Sequence, residues 1–163
     1  MNKSTKYSKV LFILHMPPPV HGASMVGKYI HDSKIINNAF ECHYLNLALA
    51  KDLDDIGKGG IRKLKEFYKQ LKQIRKQTKL IVPQLCYVTP NAKGGAFYKD
   101  FFVVMLLKMM RQNIVVHYHN KGIATRQNRY FDNLLYSTFF KNLKVILLLS
   151  LIHISEPTRL QLI

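Results

Sequence analysis

Two short stretches of this chain carry the residue types that chemistry needs. In the first, the apolar run Val10 to Leu14 leads into His15-Met16-Pro17-Pro18-Pro19-Val20-His21-Gly22-Ala23-Ser24. Met25, Val26, Tyr29 and Ile30 then follow at helical spacing. The order is strand, proline-glycine loop, helix. Three prolines are expected to hold the backbone extended, Gly22 has no Cβ to keep a ligand from the main-chain amides, and Ser24 is placed to cap the helix. A helix N-terminus at the carboxyl end of a strand carries partial positive charge and suits an anion. The same residues also read as a plain strand-to-helix turn.

The second stretch, His117-Tyr118-His119-Asn120-Lys121-Gly122, closes an apolar run that starts at Ile114. A neutral imidazole at a strand's carboxyl end can hydrogen-bond a hydroxyl or stabilise charge developing on a transferring group, or it can simply pack against the strand. His117 lies two residues earlier on the same face and reads as the core histidine of the pair. Lys121, Arg126 and Arg129 follow, suited to phosphate or to ordinary surface charge. A third loop, Pro90-Asn91-Ala92-Lys93-Gly94-Gly95, repeats the glycine-containing layout after another strand end, with Asn91 and Lys93 as substrate-contact candidates.

These loops need a sheet to place them. Strand-like runs occur at residues 10–15, 42–47, 85–89, 114–119 and 143–148, with helical patterns at 24–30, 61–78, 97–111 and 128–140. The alternation predicts an α/β fold with parallel crossovers, a Rossmann-like doubly wound parallel sheet, and puts the glycine-containing loops on one sheet edge. The 61–78 helix carries Ile61, Leu64, Phe67, Tyr68, Leu71 and Ile74 on one stripe, among Arg62, Lys63, Lys65, Lys69, Lys72, Arg75 and Lys76. It reads either as a sheet-covering helix with a solvated outer face or as a docking surface for anionic lipid or a phosphorylated acceptor. Pro83 is expected to stop it.

A chain of 163 residues, 48% hydrophobic, supports one core. Its 25 Lys and Arg against 9 Asp and Glu give a formal charge of +16, which favours anionic partners. Cys42 and Cys86 lack the spacing of a metal knuckle or redox pair and read as reduced thiols, so a cytoplasmic location is expected. No apolar run approaches the ~20 residues of a membrane helix, and no secretion signal is evident. Residues 149–159, Leu-Ser-Leu-Ile-His-Ile-Ser-Glu-Pro-Thr-Arg, match residue for residue the translation of a sequencing-library transposon adapter. The expectation is therefore a domain over 1–148 and a non-native tail over 149–163, with no role for His153, Glu156 or Arg159.

With its Pro17-Pro18-Pro19-Val20-His21-Gly22 loop, its His119-Asn120 strand end and its βα order, the chain resembles the N-terminal, acceptor-side domain of a GT-B glycosyltransferase of the family 4 type. The resemblance covers residues 9–148. It implies one half of a two-domain GT-B fold, the donor-binding half being a second Rossmann-like domain. It further implies retaining transfer of a sugar from a nucleotide-diphosphate sugar to an acceptor hydroxyl, in cell-surface polysaccharide or glycolipid synthesis of a bacterium. By the same resemblance His119 is catalytic, His21 and Gly22 lie near the donor diphosphate, and His21 replaces the first glycine of the usual pair. Asn120, Asn91, Lys93 and Arg126 are then substrate-binding candidates. No metal and no cofactor is implied beyond the nucleotide sugar as co-substrate. The acceptor is a sugar or a lipid-linked sugar, and peripheral contact with the inner leaflet follows if it is lipid-linked. The alternative is a basic module that binds nucleic acid or anionic membrane without catalysis. The core-like periodicity of most Phe and Tyr disfavours nucleic acid, and no G-x-G-x-x-G follows the first strand to suggest a dinucleotide.

Overall fold

Five apolar runs of four to six residues become strands, and the segments between them bury the strands under helices. The computed structural model describes residues 8–47, 61–91, 94–119 and 130–147. In chain order the elements are β1 (Lys9–Leu14), α1 (Gly22–Asp32), α2 (Lys34–Ala39), β2 (Glu41–Asn46) and α3 (Ile61–Ile81). They continue with β3 (Leu85–Val88), α4 (Gly94–Met109), β4 (Ile114–Tyr118), α5 (Tyr130–Phe140) and β5 (Lys144–Leu147). The strands form one all-parallel sheet in the order β2-β1-β3-β4-β5, the Rossmann-like α/β arrangement expected from the pattern.

That order reverses direction between β1 and β3, so the sheet is wound both ways. Helices α3, α4 and α5 cover one face, where Ile74, Phe97, Val103, Leu107 and Phe139 pack on Leu11, Ile13, Val88 and Val116. On the other face Ile30 of α1 and Ile36 of α2 pack against Val10, Phe12 and Leu14. β1 is accordingly buried on both faces. β4 is equally apolar at Ile114–Val116, yet it is buried only at Ile114, Val116 and Tyr118. Val115 and His117 are half-buried, because α1 and α2 pack over β1 and its neighbours.

Three local details differ from the sequence reading. Helix α1 starts at Gly22, so Ser24 lies inside it and His21 is the N-cap. The loop before it bends at residues 17–19 instead of running extended, and the Pro17-Pro18 and Pro18-Pro19 bonds are cis. Helix α3 runs on to Ile81; Val82 then takes a left-handed φ of 50° and Pro83 prevents continuation. Its sheet-facing stripe is Phe67, Gln70, Leu71, Ile74, Thr78 and Ile81, which leaves Leu64 and Tyr68 facing solvent. No described helix is long and apolar enough to cross a membrane. The tail over 149–163 lies outside the described residues.

Candidate functional site at the carboxyl edge of the sheet

In a doubly wound sheet, the crevice for ligands opens at the carboxyl ends of the strands where the order reverses. Here that is between β1 and β3, and the loops that follow both strands leave from this edge. His15, the first residue past β1, is buried; its backbone N–H donates to Thr89 Oγ1 at the end of β3 (3.3 Å).

Its ring belongs to a polar network that the sequence reading missed. Asn91 Nδ2 donates to His15 Nε2 (3.0 Å) and to Asp100 Oδ2 (2.8 Å), and the Asn91 backbone N–H donates to the same carboxylate oxygen (2.8 Å). His15 Nε2 lies 3.6 Å from Asp100 Oδ2, and Lys99 Nζ lies 3.5 Å from Asp100 Oδ1 while donating to the Leu47 carbonyl past β2 (2.8 Å). Asp100, on α4, is 0% exposed. Burial pushes its pKa up, but the His15 and Lys99 contacts and the Asn91 backbone bond outweigh this and hold the carboxyl below its ordinary range. One buried carboxylate thus ties together the chain segments that leave β1, β2 and β3. The only sequence signal was an acid set among Phe97, Phe101, Phe102 and Val103 in a chain with 9 acids.

His21 is fixed by a capping box. Its Nδ1 accepts from the Ser24 backbone N–H (3.2 Å), and its own backbone N–H donates to Ser24 Oγ (2.9 Å). Ser24 Oγ also donates to the Pro19 carbonyl (2.8 Å), which pins the proline loop to the helix. Because Nδ1 accepts, the ring proton of neutral His21 sits on Nε2. Burial and then the neighbouring His15, whose ring centroid is 6.3 Å away, depress the His21 pKa. Gly22 is the exposed first residue of α1, with nothing within 4 Å of the space its Cβ would occupy. The first turn of α1 holds no acid to neutralise its positive end.

His119 follows β4 on the same edge. Its ring packs on His117 with centroids 4.0 Å apart, so the two histidines share a face as the strand period requires. His117 is half-buried; its Nδ1 hydrogen-bonds the Tyr87 hydroxyl and its Nε2 is buried without a partner among the described residues. Both ring nitrogens of His119 are buried without a hydrogen-bond partner among the described residues. Burial, then His117 and His15, lower its pKa to about 4, so it is neutral near pH 7. A neutral, uncommitted imidazole can donate to or accept from a hydroxyl.

The edge therefore brings together His15, His21, Gly22, Asn91 and His119. The donors of Asn91 point inward to His15 and Asp100, which makes it a residue that shapes the β3 loop. Asn120, Lys93, Arg126, Lys121 and Arg129 lie outside the described residues. Cys42 and Cys86 are both free, and burial pushes the Cys86 thiol up to about 12. Among the described residues no group of three or more His, Cys, Asp or Glu side chains is placed to hold a metal ion. The class that fold and site define is a Rossmann-like α/β domain with a histidine-lined carboxyl edge. No family model, curated protein or solved structure matches the chain.

Proposed function

We propose that this chain forms the acceptor-side wall of a sugar-transfer cleft, the N-terminal half of a retaining glycosyltransferase that uses a nucleotide-diphosphate sugar. The observation that carries the reading is His119: a neutral imidazole at the end of β4, both nitrogens without a partner among the described residues, on the sheet edge where the α1 N-terminus also opens. In this reading His119 hydrogen-bonds a hydroxyl of the reacting sugar and stabilises charge as the glycosidic bond to the diphosphate breaks. The first-turn amides of α1, with Gly22 at their head, and His21 Nε2–H face the departing diphosphate. Asn91, Asp100 and His15 hold the β1 and β3 loops in register beneath them. In this reading the donor-binding half and its acidic residues are supplied by a second domain.

The test uses the enzyme encoded by the uninterrupted reading frame. His119→Ala is expected to lower kcat/KM for transfer by at least about 100-fold, the scale of a lost acid-base or charge-stabilising group. Unchanged turnover would remove His119 from catalysis. A reading frame without a second Rossmann-like half past Leu148 would sink the two-domain assignment.

A further inference from the structure

Helix α3 has a face that the sheet does not use. Its buried side is built on Gln70, Ile74, Thr78 and Ile81. On the opposite side Lys65, Lys69, Lys72, Arg75, Lys76 and Lys79 are all exposed. At 100° and 1.5 Å per residue these six cations form a ridge about 20 Å long on one half of the helix. Glu66 is the one acid in the helix sequence.

Cations alone would describe a solvated face. The ridge, however, is flanked by large apolar side chains that the core leaves out: Leu64 is 66% exposed and Tyr68, one turn on, is 60% exposed. Lys72 Nζ sits 4.8 Å from the centre of the Tyr68 ring. On the adjacent helix α4, Phe102 is 56% exposed, and it meets Phe67 of α3 with ring centroids 6.4 Å apart. Leucine, tyrosine and phenylalanine beside a row of lysines match a lipid interface in both respects. The apolar groups enter the headgroup boundary, and the ammonium groups meet anionic phosphates after lying along the apolar stems. A nucleic acid would satisfy the cations but leave Leu64 without use.

We propose that the outer face of α3, with Leu64, Tyr68 and Phe102 at its flank, docks the protein on an anionic lipid surface. This stands independently of the transferase reading, since it concerns the face of α3 that points away from the sheet. The test is sedimentation of the full chain with phosphatidylcholine vesicles, with and without phosphatidylglycerol, at low ionic strength. Binding is expected only when phosphatidylglycerol is present. The triple variant Lys69→Glu/Lys72→Glu/Lys76→Glu is expected to lower the vesicle partition coefficient at least about tenfold. A variant with the same net charge but changes elsewhere, Lys34→Glu/Lys141→Glu/Lys144→Glu, is expected to retain most of the binding. Leu64→Asn/Tyr68→Asn, at positions too exposed to disturb folding, is expected to lower partition several-fold without altering charge. Equal losses in the two triple variants would reduce the effect to net charge and overturn the proposal. So would undiminished binding by Leu64→Asn/Tyr68→Asn, absence of sedimentation by the wild-type chain, or displacement from vesicles by single-stranded nucleic acid competing for the same lysines.

Discussion

Gly27→Ala places the packing of the functional edge under direct test. Gly27 is buried in α1 where the helix crosses the end of β1, and a Cβ built there falls 2.0 Å from the His15 carbonyl oxygen, 3.1 Å from its carbon and 3.4 Å from Leu14 Cβ. The obstacle is backbone at the start of the histidine loop, so no side-chain rotation relieves it. To recover ordinary contact, α1 must withdraw by about 1.4 Å, which opens the seam where Ile30 packs on the β1 residues Val10, Phe12 and Leu14. Overpacking of this kind costs about 3 kcal/mol, against which the better helix propensity of alanine returns about 1, leaving a net loss of about 2 kcal/mol. Urea unfolding followed by circular dichroism should show a midpoint lower by about 1 M for a typical m of about 2 kcal/mol/M. Gly22→Ala is the matched control: nothing lies within 4 Å of its Cβ position, so its stability should stay within about 0.5 kcal/mol of wild type. A Gly27→Ala midpoint equal to or above wild type would refute the close approach of α1 to His15.

Three further outcomes follow from the polar groups. His119 has a pKa of about 4 in the folded chain against an ordinary 6.5, so unfolding takes up a proton as pH falls through that window, and stability declines from pH 6.5 towards 4. The residue is only partly buried, and solvent screening reduces the full value to about 1 kcal/mol; His119→Gln should therefore lose about 1 kcal/mol less than wild type between pH 7 and 4, and parallel curves would contradict this. Asp100→Asn removes a fully buried ionised carboxylate bonded by Asn91 and close to His15 and Lys99, and should cost about 3 kcal/mol, read as a lower thermal midpoint; an unchanged midpoint would dismiss the network as structural support. Lys108 Nζ donates to the Thr138, Phe139 and Lys141 carbonyls at the end of α5 (2.8, 2.6 and 2.7 Å), so Lys108→Met should cost about 2 kcal/mol and speed amide exchange in α5.

Much of the fold was legible because its signals are local. All five strands lie within a residue or two of the expected runs, since short apolar segments between helical patterns are the mark of a parallel sheet. Helix α2 was not legible: six residues cannot show a period, and only the Ser33 side chain, which accepts from the Ile36 N–H, marks its start. Cap preference points to Ser24 as the start of α1, but the N-cap is His21, an uncommon capping residue, and the serine lies at the third helical position, completing the box from inside. Hydropathy alone runs the α3 stripe through Leu64 and Tyr68, whereas packing selects Gln70 and Thr78. Gln70 donates to the Asn46 carbonyl and Thr78 to that of Ile74, which makes their burial tolerable.

The sequence by itself determined the element types, the α/β class and the candidacy of His21, Gly22 and His119, because strand periods, helix periods and loop chemistry are written in neighbouring residues. Only the tertiary structure decided that His15 and Asp100, 85 positions apart, meet through Asn91. It alone also put β1 next to β3 and left both nitrogens of His119 without a partner among the described residues. Those facts depend on strand order and on which helix covers which face, and they are settled by burial summed over the whole sheet rather than by any local pattern.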